Sequence, residues 1–257
     1  MGRSPVATYF IADLHLTPEL ESKMAGGGRA PAVTTERFLR FLDQIAADGN
    51  ALYILGDLFD AWIGDDAAKP AYGRIIDALN RLSMPIYLLH GNRDFLLDQQ
   101  FCGATSAQLL EDPAIIEVMD ATVLISHGDL FCTDDVEYQQ VRAVVRKPEW
   151  RSQFLNQSME ERIRQAQQFR EQSKTETANK SVAIMDVNEQ TITSTLDAHA
   201  VTTLVHGHTH RPARHEHAVT NGTAIRWVLG SWQEQGEILR WDQHGPELIA
   251  IDEFLTR

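Results

Sequence analysis

Five short polar motifs constrain this chain most, because each comes directly after an apolar, β-prone run. The first follows residues 6–12 and the last follows residues 201–205. The motifs are Asp13-Leu-His15, Gly56-Asp57, His90-Gly-Asn-Arg-Asp94, His127-Gly-Asp129 and Gly207-His-Thr-His210. Helical spacing separates several of these runs, which is typical of α/β layering. The pattern therefore predicts an α/β fold that presents functional groups at the ends of its strands.

Seven polar groups in these motifs are good ligands for a hard or borderline divalent cation. They are Asp13, His15, Asp57, Asn92, His127, His208 and His210. A single ion would leave most of them superfluous, whereas two ions that share a carboxylate would each have four protein ligands. We therefore predict two ions roughly 3.5–4 Å apart, an arrangement suited to in-line phosphoryl displacement. The alternative is a set of capping Asp and core His residues without a metal.

The other histidines lie outside this ligand set. We expect structural or supporting roles for His90 and His206, which precede motif glycines. We expect the rest at the surface or in loops, namely His199, His215, His217 and His244.

The overall charge limits the partners that the chain can bind. A formal net charge of −13 argues against nucleic-acid binding, which needs a dominant positive field. Residues 141–180 are an exception, with nine Lys or Arg against five Glu and a net charge of +4. This basic segment indicates an anionic ligand or surface, or else a solvated helical face. The N-terminus shows no signal-peptide pattern, so we expect a cytosolic protein with reduced Cys102 and Cys132.

A helical segment interrupts the alternation of strands and motifs. Residues 136–196 are rich in Gln, Arg, Glu and Ala, with apolar residues such as Val141, Val144 and Val145 at helical spacing. We predict a core formed by residues 1–135 and 197–257, and a helical insertion at 136–196. An ordinary amphipathic hairpin packed on the core is the alternative.

Taken in order, the five motifs resemble those of the calcineurin-like metallophosphoesterases. The resemblance implies an αββα sandwich with a dimetal centre at the edge of the sheets. The implied ligand sets are Asp13, His15, Asp57 and His210 for one ion, and Asp57, Asn92, His127 and His208 for the other. Asp57 would then be the bridging carboxylate.

Arg93 departs from the pattern of many members of that family, which read Gly-Asn-His-Asp/Glu at this place. The histidine is proposed there to protonate the leaving group or to bind phosphate. An arginine cannot donate a proton near neutral pH, but it can clamp two phosphate oxygens at once. Arg93 therefore favours a substrate with a good leaving group, such as one half of a diphosphate.

Longer strings resemble one subgroup of the family, the UDP-2,3-diacylglucosamine diphosphatases of lipid A biosynthesis. These strings lie at 10–16, 51–66, 90–97, 127–135, 181–188 and 206–212. The resemblance implies a hydrolase in which a dimetal-activated water attacks the α-phosphorus of UDP-2,3-diacylglucosamine. The products would be UMP and 2,3-diacylglucosamine 1-phosphate (lipid X). It also implies two Mn²⁺ ions per chain and peripheral attachment to the cytoplasmic face of the bacterial inner membrane.

In that subgroup the helical insertion forms a lid, and a chamber beneath it takes the acyl chains. Such a chamber needs an apolar lining with basic groups at its mouth. The resemblance implies catalytic roles for Asn92, Arg93 and His127. The implied substrate contacts are Asn92, Arg93, Asp135, Ser173, Thr177, Lys180 and His208, although related enzymes carry Asn at position 177. Two rival functions remain: a metallophosphoesterase acting on soluble nucleotides, and a non-catalytic membrane-associated scaffold. The sequence does not indicate an oligomeric state.

Overall fold

Two β-sheets organise the chain. The computed structural model describes residues 6–18, 29–180 and 184–257, and their side chains except at 29–32, 68–70 and 173–179. The strands in these ranges are β1 (Ala7–Ile11), β2 (Gly49–Ile54), β3 (Ile86–Leu88), β4 (Ala107–Leu109), β5 (Ala114–Val118), β6 (Ala121–Ser126), β7 (Thr203–His206), β8 (Ala213–Val219), β9 (Gly222–Val228), β10 (Glu237–Asp242) and β11 (Gly245–Ala250). The α-helices there are α1 (Arg29–Ile45), α2 (Ala68–Asn80), α3 (Gln99–Thr105), α4 (Val136–Val145), α5 (Pro148–Leu155), α6 (Met159–Asn179), α7 (Glu189–His199) and α8 (Ile251–Phe254).

The order of the strands places the five motifs at common edges. The first sheet has the order β11-β10-β1-β2-β3-β4, and the second has the order β5-β6-β7-β9-β8. Strands β1 to β4 run parallel, and so do β6, β7 and β9. The motifs follow β1, β2, β3, β6 and β7, which all belong to these parallel sets. Because parallel strands end at one edge of a sheet, the motifs within each sheet meet there.

Alternation along the strands builds four layers. In β1, Phe10 packs between the two sheets, whereas Tyr9 and Ile11 pack against the helices that cover the first sheet. On the other side, Ile192 of α7 packs with Leu204 of β7 on the outer face of the second sheet. The layers therefore follow the order helix, sheet, sheet, helix, and the predicted α/β fold is confirmed.

The helices after β6 divide into two groups. Helix α5 carries the buried Phe154, which packs in the same cluster as the helices of the first sheet. Helix α7 instead belongs to the outer layer of the second sheet, through Ile192 and Leu196. We therefore propose that α4, α5 and α6 form the lid and that the core resumes near Val187, within the predicted insertion 136–196. In the part of the chain that the structure describes, no helix is both long and apolar enough to cross a bilayer.

The β-prone runs predicted at residues 6–12 and 201–205 agree with β1 and β7 to within two residues, whereas β8 was not predicted. Strand β8 has the sequence Ala-Arg-His-Glu-His-Ala-Val and lies at the outer edge of the second sheet. Every second residue of β8 faces solvent. The segment therefore has too few apolar residues for its alternation to be recognised as a strand from the sequence.

Candidate metal centre

The first group of potential ligands lies at the end of β1 and in the loop after β7. Nε2 of His15 is 3.3 Å from Nε2 of His210, which is itself 3.4 Å from Oδ1 of Asp13. The three ligand atoms lie within 4.8 Å of one another. Oδ1 of Asp13 is buried and has no hydrogen-bond partner among the described residues. Facing ring nitrogens beside an unsatisfied carboxylate oxygen form an arrangement that a cation completes.

The second group is centred on the amide oxygen of Asn92. This oxygen lies 3.1 Å from Nε2 of His127 and 3.0 Å from Nδ1 of His208. The other ring nitrogen of His127, Nδ1, is 2.9 Å from the carbonyl oxygen of Leu55. A proton on Nδ1 that is donated to this carbonyl leaves the Nε2 lone pair directed at the cluster, as in metal-binding histidines.

Asp57 lies between the two groups. Its Oδ2 is 3.8 Å from Nε2 of His15, and its Oδ1 is 3.9 Å from Nε2 of His127. Oδ1 also accepts the backbone N–H of Arg93 at 2.8 Å. The carboxylate is buried and directs one oxygen at each histidine cluster. The geometry suits a bridging ligand for two cations.

Backbone strain concentrates at the same residues. Eight non-glycine residues of the described chain have positive φ, a conformation that side chains disfavour. Five of them are potential ligands, with φ between 49° and 69°: Asp13, His15, Asp57, His208 and His210. Strained conformations of this kind persist where surrounding structure enforces them, and they cluster at functional sites.

The motif glycines serve two purposes. Gly56 (φ +89°) and Gly128 (φ +116°) allow sharp turns of the backbone. At Gly91 and Gly207 the requirement is instead close approach. A Cβ atom at Gly91 would overlap the carboxylate of Asp57, and one at Gly207 would overlap Asp13. These two glycines therefore let one loop pack directly on the carboxylates of another.

The electrostatics of the cluster favour a cation. Burial alone would lower the pKa of His127, but the carboxylates of Asp57 and Asp13 raise it to about 9. Burial and the neighbouring Asp57 raise the pKa of Asp94 to about 7. Burial and the charge of His127 lower the pKa of His208 to about 4. Carboxylates packed this closely in a buried site need a positive charge among them.

The structure describes the side chains of only some residues that are expected to contact substrate. Asp135 and Lys180 pair with each other, with Nζ 2.7 Å from Oδ1. Arg93 lies in the loop after β3, and its charge joins burial in lowering the pKa of His15. The side chains of Ser173 and Thr177 lie outside the described residues.

Two acids of the motifs have roles that sequence analysis missed. Asp94 is fully buried and accepts backbone N–H groups from Gly91 at 2.9 Å and Asp57 at 3.3 Å, so it joins two motif loops. Asp129 is fully buried and lies 2.8 Å from Nε of Arg142. Both acids lie inside the motifs, and this position is the sequence feature that could have indicated a structural role for them.

The histidines outside the ligand set differ from one another. His206 is buried and structural as expected, with Nδ1 2.8 Å from the carbonyl oxygen of Gly207. The expectation of a surface position for His217 was wrong. His217 is buried on β8, where its Nε2 accepts a hydrogen bond from Nε of Arg226 at 3.0 Å and its Nδ1 lies 2.9 Å from the carboxylate of Glu189. Its partner Arg226 lies on the neighbouring strand β9. The pattern of residues around His217 in the sequence therefore does not indicate that His217 is buried.

Comparison with known proteins decides the family. A family model for calcineurin-like phosphoesterases matches residues 7–212, a span that contains both histidine clusters and Asp57. The chain belongs to this family. Membership confirms the expected hydrolase class and the resemblance seen in the motifs.

Several relatives match this calcineurin-like phosphoesterase over nearly their whole length, and three of them illustrate the likeness, each under the name UDP-2,3-diacylglucosamine hydrolase. The protein from Stenotrophomonas maltophilia is 42% identical over 256 residues, covering 96% of this chain and 99% of the relative. The protein from Escherichia coli O81 is 44% identical over 247 residues, covering 95% and 98%. The protein from Serratia proteamaculans is 43% identical over 247 residues, with the same coverage.

Proposed function

We propose that this phosphoesterase hydrolyses the diphosphate bond of UDP-2,3-diacylglucosamine. Water adds at the α-phosphorus, and the products are UMP and 2,3-diacylglucosamine 1-phosphate, a step of lipid A biosynthesis. The observation that carries the chemistry is Asp57, whose two oxygens face the two histidine clusters. The choice of substrate is supported by relatives of that name at 42–44% identity over nearly the full chain.

The proposed site would hold two divalent cations. Its carboxylate, amide and imidazole ligands suit Mn²⁺. The ligands are Asp13, His15, Asp57 and His210 for one ion, and Asp57, Asn92, His127 and His208 for the other. When bound, such ions lower the pKa of a water molecule and offset charge on phosphate oxygens.

The chain supplies orientation and charge around these ions. The Leu55 carbonyl fixes the ring of His127, and the backbone N–H of Arg93 fixes Asp57. The guanidinium of Arg93 clamps phosphate oxygens, and the amide of Asn92 stabilises charge that develops on them. The leaving group is a phosphate, so it departs without a protein proton donor.

In or next to the lid, the residues proposed to contact substrate are Asp135, Ser173, Thr177 and Lys180. His208 would contact the substrate as well as a metal ion. Helix α4 adds apolar surface, because Val136, Val141 and Val144 are 60%, 52% and 49% exposed. Exposed apolar residues in one segment are typical of a surface that binds apolar ligands. They support acyl-chain binding and peripheral attachment to the cytoplasmic face of the inner membrane.

Release of UMP by the purified chain tests this proposal. We expect turnover with Mn²⁺, none after treatment with a chelator, and none for Asp57→Ala. Turnover of Asp57→Ala near the wild-type rate with Mn²⁺ supplied would contradict the bridging role. A chain that binds Mn²⁺ but never releases UMP would favour the non-catalytic scaffold.

A lid variant separates the lipid substrate from soluble ones. Phe169 of α6 is 46% exposed and contacts the ring of Trp150. We expect Phe169→Ala to slow hydrolysis of the lipid substrate far more than that of a soluble phosphodiester. Ile115→Ala is the matched control, because Ile115 is 49% exposed on β5, in the core. Equal losses on both substrates would favour a phosphoesterase for soluble nucleotides.

A further inference from the structure

We infer that Arg146, the residue at the C-terminal cap of lid helix α4, is a positioning residue for the second metal site. The inference rests on the proposed function, in which Asn92 and His127 are ligands of that site. Arg146 contacts neither ligand directly. It contacts the loops that carry them.

One guanidinium joins the two loops. Nη2 of Arg146 donates a hydrogen bond to the carbonyl oxygen of Gly91 at 2.9 Å, and the peptide of this carbonyl leads directly into Asn92. The same nitrogen lies 3.5 Å from Oδ2 of Asp129, two residues after His127. The side chain is only 21% exposed. Arg146 thus ties the loop after β3 to the loop after β6 through charge-assisted contacts.

Other groups of α4 secure the same contact. Oδ2 of Asp129 accepts hydrogen bonds from the hydroxyl of Tyr138 at 2.7 Å and from Nε of Arg142 at 2.8 Å. The side-chain amide of Gln139 donates to the backbone carbonyl of Asp129 at 2.8 Å. A fully buried carboxylate is costly unless it is paired and hydrogen-bonded, so Asp129 depends on α4 for its partners.

The orientation of α4 shows that this contact determines its placement. Tyr138, Arg142 and Arg146 face the motif loops, whereas Val136 and Val141 on the same helix are exposed. An amphipathic helix ordinarily buries its apolar side. Here the polar side is the half-buried one, and hydrogen bonds restrict position far more than apolar contact does.

The consequence falls mainly on one half of the site. The contacts of Arg146 lie with the loops of Asn92 and His127, while the first group is formed by Asp13, His15 and His210. Loss of Arg146 should therefore loosen the second ion more than the first, which the loop of Asn92 reaches only through the shared Asp57.

Mn²⁺ binding to the purified full chain, followed by calorimetry, tests the inference. We expect two ions in the wild type. For Arg146→Met we expect one affinity to fall by about tenfold to a hundredfold, as for other residues that orient metal ligands, and the other affinity to fall less. Arg146→Lys keeps the charge but not the planar fork, so we expect an intermediate loss. Turnover should fall at limiting Mn²⁺ and recover in part at high Mn²⁺.

Arg162→Met is the matched control. Arg162 is a buried lid arginine that pairs with Asp66 and donates to the backbone carbonyl of Ile63, so its contacts lie at residues 63–66 and not at the ligand-bearing motifs. We expect this variant to bind both ions as the wild type does. Wild-type affinities in Arg146→Met, or an equal loss in Arg162→Met, would overturn the inference. Thermal unfolding of each variant shows whether it is folded, and Arg146→Lys decides the matter if Arg146→Met is not.

The proposed function fails in a different way. If the wild type bound fewer than two ions, or if Asn92→Ala left both affinities unchanged, the assignment of the site would be wrong whatever Arg146 does. A wild type with two ions and a sensitive Asn92, together with an insensitive Arg146, would refute the inference alone.

Discussion

Gly91→Ala is expected to damage the site through a single added carbon. The new Cβ would lie 2.0 Å from Oδ1 and 2.2 Å from the backbone nitrogen of Asp57, and ordinary contact begins at 3.4 Å, so these atoms must retreat by about 1.4 Å and about 1.2 Å. Asp57 cannot simply rotate away, because its Oδ1 accepts the N–H of Arg93 at 2.8 Å. The displacement therefore passes to the carboxylate that faces both histidine clusters.

The expected loss follows from that displacement. A misplacement of about 1 Å in a catalytic site costs on the order of a hundredfold in rate, so a displacement of more than about 1 Å predicts a fall of at least about a hundredfold in kcat. Both Mn²⁺ affinities should fall, because Asp57 is shared. Steady-state release of UMP gives the rate, and calorimetry gives the affinities.

Gly103→Ala in α3 separates this effect from a general response to alanine. A Cβ at Gly103 would meet nothing within 4 Å. We expect wild-type turnover and a stability gain of up to about 1 kcal/mol from the higher helix propensity of alanine. If Gly91→Ala kept the wild-type kcat and Mn²⁺ affinities, close packing of this loop on Asp57 would have no functional consequence, and the reasoning would be refuted.

Three further predictions concern stability and reactivity. Arg226→Met should leave buried nitrogens such as Nε2 of His206 without a hydrogen-bond partner. Each unpaired nitrogen should lower the free energy of unfolding, measured in urea, by about 1–3 kcal/mol. An unchanged free energy of unfolding would contradict this prediction. Burial raises the pKa of Cys132 to about 12, so its thiol should resist iodoacetamide at about pH 8 until the protein unfolds, as followed by mass spectrometry; rapid labelling of folded protein would show that the thiol is accessible. The hydrogen bond from Arg162 lowers the pKa of Asp66 below 3.8, so the pair stabilises the fold above that pH and the contribution is lost as pH falls through the lowered value. Wild type and Asp66→Asn should differ by at most about 1 kcal/mol near neutral pH, because Asp66 is 55% exposed, and should converge in acid; a difference independent of pH would refute the assignment.

The positions of the candidate ligands were predictable because their signal is local. Asp13, Asp57 and Asn92 each follow an apolar strand, and parallel strands of one sheet end at a common edge. Chain order therefore indicated that the motifs meet. The left-handed backbone at Asp13 and Asp57 was not predictable, because side chains other than glycine disfavour it and no sequence pattern encodes it.

The partners of buried charges were not predictable. Asp129 follows His127 in the motif, but its cationic partners, Arg142 and Arg146, come from α4 and its C-terminal cap. His217 lies on an edge strand and pairs with Arg226 of β9 and Glu189 of α7. Such pairs depend on packing between elements that are distant in sequence, whereas spacing along one element reports only its own buried face.

The basic segment gains a specific explanation from these pairings. Five of its arginines form ion pairs with acids outside it: Arg142 and Arg146 with Asp129, Arg151 with Asp98, Arg162 with Asp66, and Arg170 with Asp60. Charge paired in this way is not available to attract an anionic surface. The positive charge of the proposed lid therefore serves first to seat it on an acidic core, and the proposed attachment to a membrane would depend more on exposed apolar residues such as Val136 and Val141. Salt that weakens the more exposed pairs should then loosen the lid before it affects the buried pairs around Asp129.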